Sequence, residues 1–132
     1  MSEELKERLN ELVAQCGTDR RAVKHIQRIK GYAPTHSAIF KARTSGTGTD
    51  YVIASYVADL QSSLDIPAPT SWQAPDWCEG LSERTAMCLS YFALYESKKE
   101  IKMDMARLGE SHFLNIRNFG LRSLAELTEW LK

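Results

Sequence analysis

The residues with the most chemistry to offer lie near the C-terminus, in the run Asn118-Phe119-Gly120-Leu121-Arg122-Ser123-Leu124-Ala125-Glu126-Leu127. An apolar stretch meets a glycine turn, and a helix then starts with Arg122 and Ser123 in its first turn. The first N–H groups of a helix lack an intrahelical acceptor, and the helix dipole favours negative charge beside them. Such a turn with an arginine next to it suits an anion, and a nucleic-acid phosphate in particular.

A second group of polar and basic residues lies between Thr18 and Gly48. This segment holds Arg20, Arg21, Lys24, Arg28, Lys30, Lys41 and Arg43 against the single acid Asp19, a net +6. It can be read as a helix-turn-helix over residues 19–43: a helix from Asp19 to Lys30, the turn Gly31-Tyr32-Ala33-Pro34, and a helix from Thr35 to Arg43. Thr35, His36 and Ser37 are residue types that a recognition helix presents to base edges. Lys41 and Arg43 could reach phosphates, and Arg20, Arg21, Lys24 and Arg28 would flank the backbone, each contact adding to the salt dependence of binding. A small helical bundle with a solvated basic face fits the same pattern.

Other chemistry is thin. His25, His36 and His112 share no metal-ligand spacing with one another or with the cysteines, and are expected at the surface or at caps. Ser45-Gly-Thr-Gly-Thr-Asp50 lacks the Gly-Lys-Ser/Thr ending of a phosphate-binding loop. With no nucleophile–base pair and no metal constellation, neither catalysis nor a cofactor is expected. Trp72 and Trp77 could stack on bases, but interdomain packing is the favoured use.

The elements that would position these residues are helical, so the fold class expected is all-α. Leu5, Leu9, Leu12 and Val13 recur at helical spacing after a Ser2 cap and before Gly17. Thr18 or Asp19 caps the second helix, whose apolar face is Ala22, Val23, Ile26 and Ile29; Arg21, Lys24, His25 and Arg28 fall on or near the other face. Residues 44–50 read as a loop, and Asp50 caps a fourth helix through Ser63 carrying Val52, Ile53, Tyr56, Val57 and Leu60. A β-hairpin around Gly46-Thr47-Gly48 is the weaker alternative. Pro67, Pro69 and Pro75 mark a boundary. The organisation expected is a basic helical module at 1–64, a Pro/Trp linker at 65–80 and a second helical module at 81–132. In that module Ser82 caps a helix through Phe92, Ile101, Met105 and Leu108 continue the helical pattern, and Gly109 breaks it.

The whole chain of 132 residues, 43% hydrophobic and 26% charged, is that of a folded protein. Its 17 basic and 17 acidic residues cancel, so the distribution of charge, not its sum, bears on a partner. Residues 51–80 carry four acids and no Lys or Arg, while 81–132 are nearly balanced. Cys16, Cys78 and Cys88, odd in number and widely spaced, fit a reduced cytoplasmic setting. No signal peptide is legible, and no apolar run approaches the roughly 18 to 20 residues of a membrane span.

Two blocks of the second module carry a family resemblance. Leu81-Ser-Glu-Arg84-Thr-Ala-Met87-Cys88-Leu89, followed by Phe113-Leu-Asn-Ile-Arg-Asn118-Phe-Gly120-Leu-Arg122-Ser123-Leu124-Ala-Glu126-Leu127, resembles the C-terminal domain of the bacterial RNA polymerase alpha subunit. That family opens a helix with Leu-x-x-Arg-Ser-Ala-Asn-Cys-Leu and closes with Asn-Leu-Gly-Lys-Lys-Ser-Leu-x-Glu-Ile. The resemblance covers about residues 77 to 132. It implies a compact bundle of short helices with helix–hairpin–helix character that docks on the minor groove of A·T-rich DNA and touches transcription factors. On that basis Arg84 matches the arginine that enters the groove. Asn118, Gly120 and Ser123 match the backbone-contacting turn, and Arg122 stands where the family has lysine. The chain departs from the pattern at Met87, where the family has asparagine, and in a longer connection between the blocks, around Ser97-Lys-Lys-Glu100. The function expected is DNA binding in transcription regulation, in a bacterium or its phage. The alternative is a protein–protein adaptor that engages RNA polymerase or a transcription factor without DNA.

Overall fold

The computed structural model describes residues 2–45 and 50–132; the Ser2 cap and the hairpin alternative at Gly46–Gly48 fall outside the described side chains and residues. The chain is all-helical, with no strand among the described residues, and it divides into two units, Met1–Ile66 and Pro67–Lys132. No helix among the described residues is long and apolar enough to cross a membrane.

The first unit is built from α1 (Ser2–Cys16), α2 (Asp19–Lys30), α3 (His36–Ser45) and α4 (Asp50–Leu64). Thr18 caps α2 by accepting from the Arg21 N–H, and Gly31, at φ 85°, closes it through an N–H bond to the Gln27 carbonyl. α3 continues through Thr44 and Ser45, expected to be loop. Their hydroxyls bond back to the carbonyls of Phe40 and Lys41, a pattern that helical geometry permits. Leu9, Leu12, Val13 and Cys16 of α1 meet Ala22 and Ile26 of α2, Ile39 and Ala42 of α3, and Ile53 and Leu60 of α4 in one core.

α2 differs from expectation in which side chains it buries. His25 and Arg21 lie inside, 2% and 5% exposed, while Ile29 is exposed. Positions 21, 22, 25 and 26 fall on one helical stripe, and the packing follows that stripe over residue type. The buried His25 has a partner. Ser63, at the end of α4, lies with its Oγ 2.7 Å from His25 Nδ1. Arg28 Nε donates to the same Oγ at 3.1 Å, and Arg28 Nη2 donates to the Ser63 carbonyl at 2.8 Å. A hydroxyl that accepts from Arg28 donates its own proton to a neutral His25.

In the second unit a single 3₁₀ turn at Asp76–Cys78 leads to α5 (Glu83–Met87), which widens into a π-helical stretch, Cys88–Phe92; α6 (Lys98–Leu108), α7 (Glu110–Leu114) and α8 (Leu121–Trp130) follow. The Pro/Trp segment expected as a linker belongs to this unit from Pro67 onward. Trp77 packs on the unit's own core beside Trp130, and Trp130 Nε1 donates to the Glu79 carbonyl at 2.8 Å. The Ser97-Lys-Lys-Glu100 stretch is the start of α6, with Ser97 accepting from the Glu100 N–H. The core joins Cys88, Leu89, Tyr95, Ile101, Phe113, Ile116, Phe119, Leu124 and Leu127. Tyr95 stacks on Phe113, and its hydroxyl lies 2.7 Å from Asp104 Oδ2 and 3.0 Å from His112 Nε2. His112 is therefore a core residue, not a surface one.

Two outcomes follow from this packing. Burial, with the Arg28 and Arg21 charges, pushes His25 down to about 3. The unfolded chain takes up a proton below about pH 6.5 that the folded chain refuses, so this contribution to stability is complete above that value and is lost as pH falls toward 3, by at most about 1.4 kcal/mol per pH unit. Urea unfolding followed by NMR signals of the first unit should show that decline, and His25→Gln should flatten it. In the second unit, Gly80 sits at φ +95° with an added Cβ only 3.2 Å from Trp130 Cδ1. Gly80→Ala should destabilise this unit by about 1–3 kcal/mol, read from tryptophan fluorescence.

Candidate functional site

The two sequence blocks of the second unit meet in one cleft. α8 begins at Leu121 with Gly120 as its N-cap, and the Leu124 N–H closes the first turn on the Gly120 carbonyl at 2.9 Å. The N–H groups of Leu121, Arg122 and Ser123 precede that first bond, and Gly120 has no side chain to cap them. Gly120 has φ −115°, and an added Cβ would meet nothing within 4 Å. The backbone therefore does not require glycine there; its bareness leaves the helix start open to approach. The φ of 63° in this turn belongs to Asn118, a residue type that tolerates the left-handed region.

α5 supplies the facing wall, with Ser82 as its N-cap. The Glu126 carboxylate of α8 accepts from the Ser82 N–H, from Ser82 Oγ at 2.8 Å and from Thr85 Oγ1 at 2.6 Å. Burial works to raise the Glu126 pKa, but these hydrogen bonds prevail and hold it below the usual carboxylate value. Thr85 Oγ1 also lies 3.3 Å from Ser123 Oγ. The result is a cleft of about 300 Å³ lined by Ser82, Arg84, Thr85, Gly120, Leu121, Arg122, Ser123 and Glu126.

Four of the five residues singled out in this module thus line one concavity: Arg84, Gly120, Arg122 and Ser123. Arg84 and Arg122 are exposed, and neither guanidinium has a hydrogen bond or ion pair among the described residues. Ser123 is buried, with its hydroxyl turned to Thr85, so only its backbone N–H faces the role expected of it. Asn118 is exposed in the adjoining turn and is not part of the lining; Met87 is half-buried. Glu126, which sequence reasoning passed over, is the residue that joins the walls. Its signal was the spacing that puts it three residues after Ser123 on the same helix face.

No protein-family model, curated protein or solved structure matches the chain. The cleft's own atoms are what bear on its function.

The basic segment of the first unit assembles differently. The two helices expected at 19–43 are present, at Asp19–Lys30 and His36–Ser45. Their cations are largely committed inside the unit. Arg43 makes a two-point ion pair with Asp19, at 2.6 and 2.9 Å, donates to Asn10 Oδ1 at 3.3 Å and covers the Phe40 ring. Arg28 serves Ser63, and Arg21 is buried. Lys24 is half-buried. Thr35, His36, Ser37 and Lys41 are exposed, with Thr35 Oγ1 accepting from the Ala38 N–H as the cap of α3. The exposed basic face expected there is thus reduced to a few side chains. Among the described residues no group of three or more His, Cys, Asp or Glu side chains is placed to hold a metal ion.

This division of labour is testable by stability alone. Arg84→Ala and Arg122→Ala should each leave urea stability within about 0.5 kcal/mol of the parent, as for exposed residues without partners. Glu126→Ala, which leaves Thr85 and the Ser82 N–H without their acceptor, should lower it by about 1–3 kcal/mol.

Proposed function

We propose that the second unit contacts DNA in transcription, in the manner of the RNA polymerase alpha C-terminal domain that its sequence resembles. The observation that carries this is the convergence, on an uncapped helix start within one cleft, of two arginines that make no hydrogen bond or ion pair among the described residues. Arg84 is the residue for a narrow, electronegative minor groove, where a guanidinium is drawn by potential. Arg122 and the first N–H groups of α8 hold a phosphate in a sequence-neutral way. Glu126, kept in its ionised form by Ser82 and Thr85, opposes an anion electrostatically, so the two arginines and the helix start must outweigh it. A gel-shift titration on A·T-rich duplex over a range of salt tests the proposal. Binding is expected at low salt, with the log–log salt slope shrinking by about one for each arginine removed. Absence of binding at low salt, or an Arg84→Ala, Arg122→Ala double variant that binds like the parent, overturns it.

A protein–protein adaptor is the second reading, and one observation favours it: Leu121, in the lining of the same cleft, is 76% exposed. A large bare apolar side chain suits a protein partner better than a phosphate. A nuclease-treated pull-down from bacterial lysate discriminates. Retention of polymerase subunits, lost on Leu121→Asp, supports the adaptor.

A further inference from the structure

The first unit carries a second concavity, built from one face of α4. Val52, Ser55, Tyr56 and Asp59 recur at i, i+3, i+4 and i+7 and so share that face. With Tyr51 they line a groove of about 310 Å³; Ile26 and Lys30 of α2 and the turn Tyr32-Ala33-Pro34 complete it. Its rim is aromatic and bare: Tyr51 is 84% exposed and Tyr32 68%. Asp59 is 8% exposed, and its Oδ2 is buried without accepting a hydrogen bond among the described residues. Lys30 Nζ stands 3.5 Å from that oxygen, and the Lys30 side chain is a third exposed.

A buried carboxylate oxygen is stable only when charge-assisted hydrogen bonds satisfy it. A lysine at this distance supplies charge but leaves the acceptor open, and its flexible stem lets it swing out to water. The groove therefore offers an acceptor below and tyrosine faces above. We propose that it takes the guanidinium of an arginine presented by a partner protein. A guanidinium donates two parallel N–H bonds to a carboxylate and stacks flat on aromatic rings, whereas an ammonium matches the charge alone. A nucleic acid is the poorer occupant, because α4 carries Asp50 and Asp59 and no Lys or Arg. This site is independent of the DNA reading of the second unit.

The test is a ¹H–¹⁵N NMR titration of the full chain with blocked Gly-Arg-Gly, Gly-Lys-Gly and Gly-citrulline-Gly peptides, and with a short thymidine oligonucleotide. The arginine peptide should shift the amides of Tyr32 and of residues 51–59, and the citrulline peptide, which has the shape without the charge, should not. Asp59→Asn should weaken binding at least about tenfold. Tyr51→Ala, at an exposed position that the fold does not need, should weaken it several-fold. Lys30→Met should tighten it, because it removes the intramolecular competitor for Asp59; a merely structural ion pair predicts no such gain. Should Asp59→Asn fail to fold, Tyr51→Ala and Lys30→Met decide the matter. The proposal is overturned by an absence of groove shifts at millimolar arginine peptide, by equal binding of citrulline or lysine, by weaker binding of Lys30→Met, or by groove shifts from the oligonucleotide in place of the peptide.

Discussion

The second unit depends on one carboxylate. Glu126 accepts from the Ser82 N–H, the Ser82 hydroxyl and the Thr85 hydroxyl, and so fixes the start of α5 against the body of α8. An ionised carboxylate is acceptor-only with about four lone-pair sites, so it can take three donors at once where an amide or hydroxyl cannot. It ties the wall that carries Arg84 to the wall that carries Arg122, beside the core packing of Cys88, Leu89, Leu124 and Leu127. The acid at the wall of an otherwise cationic cleft is thus the bracket that makes the cleft. Its cost to anion binding is reduced by the three dipoles aimed at it.

The first unit applies the same economy to its cations. Ser63 collects Arg28 together with the neutral His25, and Asp19 collects Arg43 in a two-point pair. Bidentate arginine–carboxylate pairs and capping of helix-end carbonyls are among the stronger polar contacts available to a small helical bundle. The consequence is that charge counted along the chain overstates charge displayed on the surface. Of the seven cations in the net +6 segment, Arg20, Lys30 and Lys41 are exposed, Lys24, Arg28 and Arg43 are half-buried, and Arg21 is buried.

Helix identity and many helix ends were legible in the sequence because local chemistry sets them. Thr18 and Gly31 bound α2, Ser82 caps α5, and Gly109 separates α6 from α7. What was not legible depends on partners distant along the chain. Arg21 and His25 read as surface by residue type, yet their positions lie on the buried stripe. The Ser63 hydroxyl, on another helix, gives the buried His25 its hydrogen-bond partner. α7 has five residues, too few for a period to show. The π-helical widening at Cys88–Phe92 and the left-handed Leu94 after it have no signature in residue type. For the site, both blocks and their order could be read. Their meeting could not, since it rests on contacts between residues distant along the chain, those of Glu126 with Ser82 and Thr85 among them; for the Tyr–Asp groove of the first unit, spacing shows only the shared α4 face of Val52, Ser55, Tyr56 and Asp59, not the α2 and turn residues that complete it.

The three thiols have a kinetic consequence. Cys16 lies in the core of the first unit and Cys78 and Cys88 are buried in the second, all unbonded. Burial pushes Cys16 up to about 12 and Cys78 to about 11, so almost no thiolate exists at neutral pH in the folded state. An alkylating reagent must wait for a local opening before it can react. Labelling at Cys16 therefore clocks the fluctuations of one unit, and labelling at Cys78 and Cys88 those of the other. The native chain contains, without any added probe, separate timers for how often each half exposes its interior.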